Sequence, residues 1–396
     1  MINKKMQKLG SERSVIRDIF EYGLKRKREI GEENVFDFSL GNPSLSAPLV
    51  LDKEIVRLAS NDSTVAVHGY TSAAGDPEVR RRIAEYIKDT HGFPISEGNI
   101  YMTAGAAAAL TSTLGAIVNP GEEVIVLAPY FPEYKVFIEN SGGKVVEVAC
   151  DKDFAPDTEA IREAINESTA AIIINSPNNP SGAVFSEEKI KELAAVLYEC
   201  EERYEKPIYL ISDEPYRELV YGEATVPYVP KYYKNTIVCY SFSKSMSIPG
   251  ERIGYVAVSP EADGSEDVYA AVCGAGRALG YVCAPSLMQR AVAEALGELS
   301  DIAVYDRNRL LLYQGLTEMG YEAVKPDGAF YLFLKSPIPD AKKFAERARA
   351  YELLVVPSDS FGITGYVRIS YCVNTERIIK AMPAFRALAE EYGIAR

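Results

Sequence analysis

Seven short apolar runs alternate with amphipathic segments between about residues 80 and 260, and this alternation restricts the fold more than any other feature. Several runs are apolar at consecutive positions, which is typical of strands covered on both faces, as in a mainly parallel sheet. Strands that alternate with helices predict right-handed crossovers and a doubly wound α/β fold. The predicted strands are "NIYMT" (99–103), "EVIVLA" (123–128), "KVVEVA" (144–149), "AAIIIN" (170–175), "PIYLIS" (207–212), "TIVCYS" (236–241) and "GYVAVS" (254–259), and the predicted helices are 76–90, 105–117, 131–141, 157–166 and 186–204.

The pattern changes after about residue 285, where we predict a smaller α+β unit, and a further helix is predicted at 11–30. The chain is therefore expected to form a large domain at 46–285 and a small domain built from 1–45 and 286–396. The elements predicted in the C-terminal part are a helical stretch at 286–319, the strand "AFYLFLK" (329–335), a helix at 340–351, the strands "LLVV" (353–356) and "YVRISY" (366–371), and a helix at 375–392.

Charge and composition exclude several classes of partner. The chain has 396 residues with a net charge of −13, which argues against nucleic acid or an anionic membrane as a partner. Its 26 Tyr and 14 Phe argue against disorder. The opening "MINKKMQKLGSERS" has no apolar core of a signal peptide, and no apolar stretch is long enough to span a bilayer. We therefore expect a cytoplasmic protein.

The six cysteines and two histidines restrict metal and disulfide chemistry. No two cysteines have C-x-x-C spacing, and several lie inside apolar runs, so we interpret them as buried free thiols of a reducing compartment. His68 and His91 are too few for a His-rich metal site, and neither has a predicted role. We predict no metal site.

Small or amide residues follow two of the predicted strands, at the sheet edge where open α/β folds bind ligands. The first is followed by "AGAAAAL" (104–110), and small residues at a helix start either let backbone N–H groups approach a phosphate or allow close helix packing. The fourth is followed by "SPNNPSG" (176–182), in which Asn179 belongs either to an ordinary turn or to a stiff loop that presents an amide.

Charged residues follow the next two strands. Asp213, with Tyr216 three residues later, ends a buried strand, where a carboxylate is costly unless it is paired, caps a helix or faces a cationic ring nitrogen. Lys244 lies among serines in "YSFSKSMS" (240–247), and Arg252 follows it. A lone Lys or Arg is usually a solvated surface charge, but small and apolar residues surround both of these between two predicted buried strands.

The strand ends together supply a phosphate cradle, an amide, an acid, a phenol, an amine and a guanidinium. Pyridoxal phosphate needs a lysine for its aldehyde, a carboxylate for its ring nitrogen, donors for its phenolic oxygen and a cradle for its phosphate. The inventory therefore fits this cofactor. The glycine-rich "CGAGRALG" (273–280) has the wrong spacing for a dinucleotide loop and follows no predicted strand, so it does not predict a nicotinamide site.

Eight motifs, in order along nearly the whole chain, resemble those of the class I/II aminotransferases, the fold-type-I family of pyridoxal-phosphate enzymes. This resemblance implies a large doubly wound domain with a smaller α+β domain, and transfer of the amino group of an L-amino acid to a 2-oxo acid. The motifs are "LGNPS" (40–44), "GYTSAAGDPEVR" (69–80), "TAGAAAAL" (103–110), "APYFPEY" (128–134), "NSPNNPSG" (175–182), "SDEPY" (212–216), "SFSKSMSIPGERIGY" (241–255) and "YVRISY" (366–371).

The resemblance implies how the cofactor is held. Lys244 forms the internal aldimine and then moves the substrate Cα proton. Asp213 keeps the pyridine nitrogen protonated, and Asn179 and Tyr216 donate hydrogen bonds to the ring O3′, which lowers the pKa of the aldimine. Phe131 stacks on the ring, although its apolar surroundings also suit plain core packing. The implied phosphate ligands are Ser241, Ser243, Arg252 and the backbone of Gly105, Ala106 and Ala107.

The resemblance also implies how the substrate and a second subunit bind. Arg368 clamps the substrate α-carboxylate bidentately, helped by Asn179 and the backbone of Gly41. From the sequence pattern alone, Arg368 would be interpreted as an exposed strand residue. Tyr70 reaches the phosphate of the neighbouring subunit, which implies a homodimer with shared active sites.

The substrate and the reaction outcome stay open at this stage. In one branch of the family, relatives that prefer aspartate carry a lysine where this chain has Ala107. The absence of this lysine weakens the case for a dicarboxylate substrate. Glutamate with 2-oxoglutarate is the default pair. A C–S β-lyase with the same core residues is the alternative. A non-enzymatic pyridoxal-binding regulator has little weight, because only about 35 residues precede "DFSLGNPS" and the charge is wrong for DNA.

Overall fold

A computed structural model describes residues 2–11, 14–61 and 63–395. The N-terminal part is mainly helical and includes one short strand. The segment predicted as a helix at 11–30 is helical from Val15, because the Ser14 side chain accepts a hydrogen bond from Arg17 N at 3.3 Å and caps the helix. An additional helix precedes it. The elements are α1 (Lys4–Ser11), α2 (Val15–Ile30), β1 (Phe36–Asp37), α3 (Leu49–Asn61), α4 (Thr64–His68) and α5 (Pro77–His91).

The central part forms the expected alternation of strands and helices. Its elements are β2 (Ile100–Thr103), α6 (Ala106–Ile117), β3 (Glu123–Ala128), α7 (Glu133–Asn140), β4 (Lys144–Ala149), α8 (Thr158–Ala164), β5 (Thr169–Asn175), α9 (Glu187–Tyr204), β6 (Tyr209–Asp213), β7 (Thr236–Ser241), β8 (Gly254–Val258) and α10 (Ser265–Ala278). The seven strands form one sheet in the order β2-β8-β7-β6-β5-β3-β4. Only β8 runs antiparallel to its neighbours, so the prediction of a mainly parallel sheet is confirmed.

Helices cover both faces of this sheet, which explains the continuous apolar runs in the sequence. Along β3, Val124 and Val126 pack in a core with Leu114 of α6, whereas Ile125 packs in a second core with Leu193 of α9. Because alternate side chains point to opposite faces, a strand buried on both sides needs an apolar residue at every position. The segment 273–278 lies inside α10, so the glycine-rich sequence is helical and forms no dinucleotide loop there.

The C-terminal part contains a second, smaller sheet. Its elements are α11 (Ser286–Glu294), α12 (Ala303–Glu318), β9 (Ala323–Val324), β10 (Tyr331–Lys335), α13 (Ala341–Ala348), β11 (Leu353–Leu354), β12 (Val356–Pro357), β13 (Tyr366–Ser370) and α14 (Thr375–Glu391). The strands form an antiparallel sheet in the order β12-β13-β10-β9, and β11 pairs with β1 from the N-terminal part. The chain therefore has the predicted α/β architecture with an additional α+β part.

Two predictions about this architecture were wrong in detail. The helical stretch predicted at 286–319 is two helices, because Gly297 has a φ of +85° between α11 and α12 and helical residues cannot adopt this value. The cysteines are all free, but Cys150, Cys273 and Cys283 are only half-buried. In the part of the chain that the structure describes, no helix is long and apolar enough to cross a membrane.

Candidate active site

A cavity of about 300 Å³ lies beyond the carboxyl ends of the central strands. The neighbouring strands β5, β6 and β7 end at Asn175, Asp213 and Ser241, which all line it. Parallel strands end at the same sheet edge, so residues far apart in sequence converge there. Of the predicted site residues, those that line the cavity are Gly41, Ala106, Ala107, Phe131, Asn179, Asp213, Tyr216, Ser241, Ser243, Lys244, Arg252 and Arg368.

Asp213 is a buried carboxylate with one oxygen left open. The side chain is 4% exposed, and its Oδ2 accepts a hydrogen bond from the Tyr134 hydroxyl at 2.5 Å. Its Oδ1 is buried and has no hydrogen-bond partner among the described residues. Burial raises the pKa of Asp213 to about 7. No helix begins directly after Asp213, so this carboxylate is not a helix cap, and its open oxygen suits a donor that enters the cavity.

Lys244 is the amine of the site. Its Nζ donates a hydrogen bond to the Gly41 carbonyl at 2.8 Å and lies 5.5 Å from the centre of the Phe330 ring. Burial, together with the smaller effect of the nearby positive charges of Arg252 and Arg368, lowers the pKa of Lys244 to about 8. A lysine with this pKa is partly neutral near pH 8, and the neutral amine is the nucleophilic form.

An anion cradle lies where α6 begins. Gly105 caps this helix with a φ of +82° and no side-chain hydrogen bond, which leaves the first backbone N–H groups open. A Cβ at this position would lie 2.7 Å from Arg252 Nη2, and residues with a side chain rarely adopt this φ, so glycine is favoured there. The hydroxyls of Ser241 and Ser243 are 2.7 Å apart, and Arg252 Nη1 lies 3.5 Å from Ser243 Oγ. A guanidinium, two hydroxyls and helix N–H groups together suit a phosphate.

Arg368 also lines the cavity and is 2% exposed. Its Nη1 donates to Asn179 Oδ1 at 2.9 Å and its Nη2 to the Ser39 carbonyl at 2.6 Å, while its Nε is buried without a partner in the described structure. Both partners are neutral. A buried guanidinium with neutral partners is available to an incoming carboxylate. The expectation of an exposed strand residue, drawn from the pattern alone, is therefore wrong.

The remaining predicted residues are placed as follows. Tyr216 is buried, and its hydroxyl lies 3.0 Å from that of Tyr331. Phe131 lines the cavity and makes an edge contact with Tyr134, with ring centres 5.7 Å apart. Tyr70 does not line the cavity and is 96% exposed.

The sequence analysis missed two residues that contact the site. Tyr134 belongs to the motif "APYFPEY" but has no predicted role, although it lies in the first turn of α7, three residues after Phe131. Tyr331 was included only in a predicted strand, because an aromatic residue in an apolar run looks like core packing. Both carry a phenol that contacts a predicted site residue.

The groups present fit pyridoxal phosphate. The open Asp213 oxygen suits a protonated ring nitrogen, the Lys244 amine suits an aldehyde, and the cradle at Gly105 and Arg252 suits a phosphate. Within residues 2–11, 14–61 and 63–395, no group of three or more His, Cys, Asp or Glu side chains is arranged to hold a metal ion.

Solved structures resemble the chain over nearly its full length. A crystal structure of an amino transferase from Eubacterium rectale has a TM-score of 0.97 at 52% identity and covers 99% of both chains. The aspartate aminotransferase from Thermus thermophilus with maleate has a TM-score of 0.87 at 29% identity and covers 98% of this chain and 99% of that one. These neighbours define the class of the protein, a fold-type-I aminotransferase.

Sequence comparison gives the family. The model of aminotransferase class I and II matches residues 33–385. The chain is 34% identical over 363 residues to an aspartate/prephenate aminotransferase from Thermus thermophilus, which covers 87% of this chain and 88% of that protein. It is 33% identical to an aspartate aminotransferase from Pyrococcus horikoshii, with 94% and 93% covered. The chain belongs to the aminotransferase class I and II family and is a pyridoxal-phosphate-dependent aminotransferase that acts on small molecules.

Proposed function

We propose that this aminotransferase moves the amino group of an L-amino acid to a 2-oxo acid, by default 2-oxoglutarate, with pyridoxal phosphate bound covalently to Lys244. One observation carries the proposal. Asp213 is a fully buried carboxylate with an open oxygen, and it lines the same cavity as a buried lysine of lowered pKa. When bound, the cofactor supplies an electron sink that stabilises negative charge on the substrate carbon that loses its proton.

Residues of the protein would hold the cofactor and move the substrate proton. Asp213 would keep the ring nitrogen protonated, and Tyr216 with Asn179 would donate hydrogen bonds to the ring oxygen. Lys244 Nζ would be the base that removes the substrate Cα proton. Arg252, the two serine hydroxyls of β7 and the turn after it, and the N–H groups at the start of α6 would hold the phosphate. Phe131, which lines the same cavity, would pack against the ring.

The substrate α-carboxylate binds to Arg368. Its neutral partners, Asn179 and the Ser39 carbonyl, hold the guanidinium without neutralising its charge, and its buried Nε is open. Two of its N–H groups can therefore face a carboxylate, which is the geometry that guanidinium and carboxylate groups prefer. The Gly41 backbone lies beside it in the cavity wall.

The identity of the amino donor is proposed only as a default. Relatives in the comparison are named aspartate or aspartate/prephenate aminotransferases, which supports a dicarboxylic substrate. Ala107 lines the cavity at the position where one branch of relatives, which prefer aspartate, carries a lysine. The absence of that lysine weakens the case for a dicarboxylic substrate. Glutamate with 2-oxoglutarate remains the default pair.

Three further predictions accompany this function. Tyr70 is expected to reach the phosphate in a neighbouring subunit, and its 96% exposed side chain supports a homodimer with shared sites. A large domain at 46–285 and a small domain from the remaining residues stay predictions. A cytoplasmic location also stays a prediction.

The test uses the visible spectrum of the purified protein. L-glutamate, L-aspartate, L-alanine, aromatic amino acids and L-cystathionine are added separately without a keto acid. We expect one donor to remove the band of the lysine-bound cofactor in a single stoichiometric step with release of its keto acid. Continuous release of pyruvate and ammonia from cystathionine, with the band retained, would instead show a β-lyase. A protein without the band after addition of pyridoxal phosphate would contradict the proposal.

The lowered pKa of Lys244 predicts how fast the apoprotein binds its cofactor at each pH. The ordinary lysine pKa of 10.5 is lowered to about 8, so the nucleophilic amine appears as pH rises through this lower value. We expect the rate of covalent capture to rise between about pH 7 and 9 and then to level off. Stopped-flow absorbance on the apoprotein measures this rate. A rate that still rises steeply above pH 10 would show an unperturbed amine.

A further inference from the structure

Tyr331 contacts both halves of the site. The residue is 3% exposed, begins β10 and lines the cavity. Its hydroxyl lies 3.0 Å from that of Tyr216, and the centre of its ring lies 4.5 Å from Arg368 Cζ. One side chain thus touches the phenol proposed to face the cofactor and the guanidinium proposed to face the substrate.

The pairing of two strands brings Tyr331 to Arg368. In the register of β10 with β13, Phe333 lies opposite Arg368 and Tyr331 lies opposite Ser370. Tyr331 and Arg368 are therefore diagonal neighbours on one face, a separation that an aromatic ring and a guanidinium can span. A methyl group at position 41 would collide with the Tyr331 hydroxyl, so Gly41 leaves the space that this phenol occupies.

Phe361 encloses Arg368 from a second direction. Its ring centre lies 5.2 Å from Arg368 Cζ, and Phe361 is fully buried. Two aromatic rings and two neutral acceptors therefore fix the guanidinium in position. A desolvated guanidinium over aromatic rings is stabilised without any loss of charge, so it keeps its affinity for a carboxylate.

We propose that Tyr331 is a positioning residue that couples the two halves of the site, its hydroxyl orienting Tyr216 and its ring orienting Arg368. This inference rests on the proposed function. Either hydroxyl of this pair can donate; in the proposed arrangement the Tyr331 hydroxyl is the donor, and the Tyr216 O–H is then free to point into the cavity. The aromatic ring of Tyr331, with that of Phe361, keeps the Arg368 guanidinium directed at the substrate carboxylate.

The test separates the hydroxyl from the ring with three variants of the holoenzyme. Tyr331→Phe removes only the hydroxyl, Tyr331→Leu removes the ring as well, and Phe361→Leu removes the other ring contact of Arg368. The first readout is the pH midpoint of the visible band of the lysine-bound cofactor. The second is the Kd of α-methyl-L-glutamate, or of the α-methyl form of the donor that the substrate panel identifies, because this probe carries the carboxylate but no Cα proton.

We expect Tyr331→Phe to raise the pH midpoint by about half to one unit, because a less well oriented Tyr216 stabilises the ring oxygen less. Its Kd for the probe should change by less than about 3-fold, since the ring that contacts Arg368 is kept. Phe361→Leu should raise the Kd of the probe by about 2- to 30-fold and leave the pH midpoint of the visible band unchanged. Tyr331→Leu should show both effects.

An unchanged midpoint in Tyr331→Phe, or an unchanged Kd in both leucine variants, would overturn the proposal. Tyr331→Phe conserves volume and an aromatic core, so it keeps the test valid if a leucine variant fails to fold. Failure of the proposed function is distinguishable, because the wild-type protein would then show no visible band to titrate.

Discussion

Replacement of Lys244 by alanine is expected to abolish covalent attachment of the cofactor and to reduce turnover by about 10³-fold or more, because the variant loses both the attached amine and the base that moves the Cα proton. The buried amine contacts the Gly41 carbonyl, and among the described residues no other lysine lines the cavity. Borohydride reduction followed by peptide mapping checks the result directly. In the wild-type protein the reduced cofactor should map to the peptide that contains Lys244.

The matched control is Lys152→Ala, whose side chain is 87% exposed and pairs only with the neighbouring Asp153 in the described structure. This variant should keep both the label on Lys244 and ordinary turnover. Ordinary activity in Lys244→Ala, or a label on a different lysine, would refute the assignment.

Replacement of Asp213 by asparagine is expected to weaken cofactor binding by about 10- to 100-fold, because a neutral amide cannot form the charge-assisted bond to a protonated ring nitrogen. Turnover should fall by about 10²–10⁴-fold, since an unprotonated ring is a poorer electron sink. Equilibrium dialysis of pyridoxal phosphate and steady-state rates measure the two effects. An unchanged Kd and rate would mean that the carboxylate has no contact with the cofactor.

The same substitution should stabilise the apoprotein. Burial raises the pKa of Asp213 from 3.8 to about 7, so the folded state keeps a proton that the unfolded state has lost between these values. The stability contributed by this group is therefore full below pH 4 and is lost as pH rises to about 7. The gain in Tm of apo Asp213→Asn over wild type should grow across this window and stay constant above it. Asp153→Asn, with a side chain 70% exposed, should show no such gain.

The cavity is positive although the chain is negative. Of the residues that the structure describes, three cationic side chains line it, Lys244, Arg252 and Arg368, against the one carboxylate of Asp213. The net charge of the whole chain is −13. A concave site with one sign of charge attracts ligands of the opposite sign, here a phosphate and the carboxylates of amino and oxo acids. The excess negative charge elsewhere is the basis of the prediction that polyanions such as nucleic acid are not partners.

Sequence periodicity predicted the large sheet well because burial on both faces requires apolar residues at every strand position. The buried runs at 123–128 and 236–241 are strands over the predicted residues, and so is the less buried edge strand at 144–149. The prediction failed where a single backbone angle determines whether a helix continues or ends. The stretch 286–319 has helical periodicity, yet the left-handed φ of Gly297 separates two helices. The spacing of apolar residues does not reveal a break in a helix that is caused by one glycine.

The order of the elements, the residue types at the strand ends and the family can be inferred from the amino-acid sequence. Which of these residues meet depends on the three-dimensional fold. Tyr134 is 79 positions from Asp213, Tyr216 is 115 from Tyr331, and Asn179 is 189 from Arg368, yet each pair is joined by a hydrogen bond. Periodicity specifies which face of a strand or helix is buried. Contacts across the cavity depend on strand register and on the packing of two sheets, because these fix the distances between residues that local sequence leaves independent.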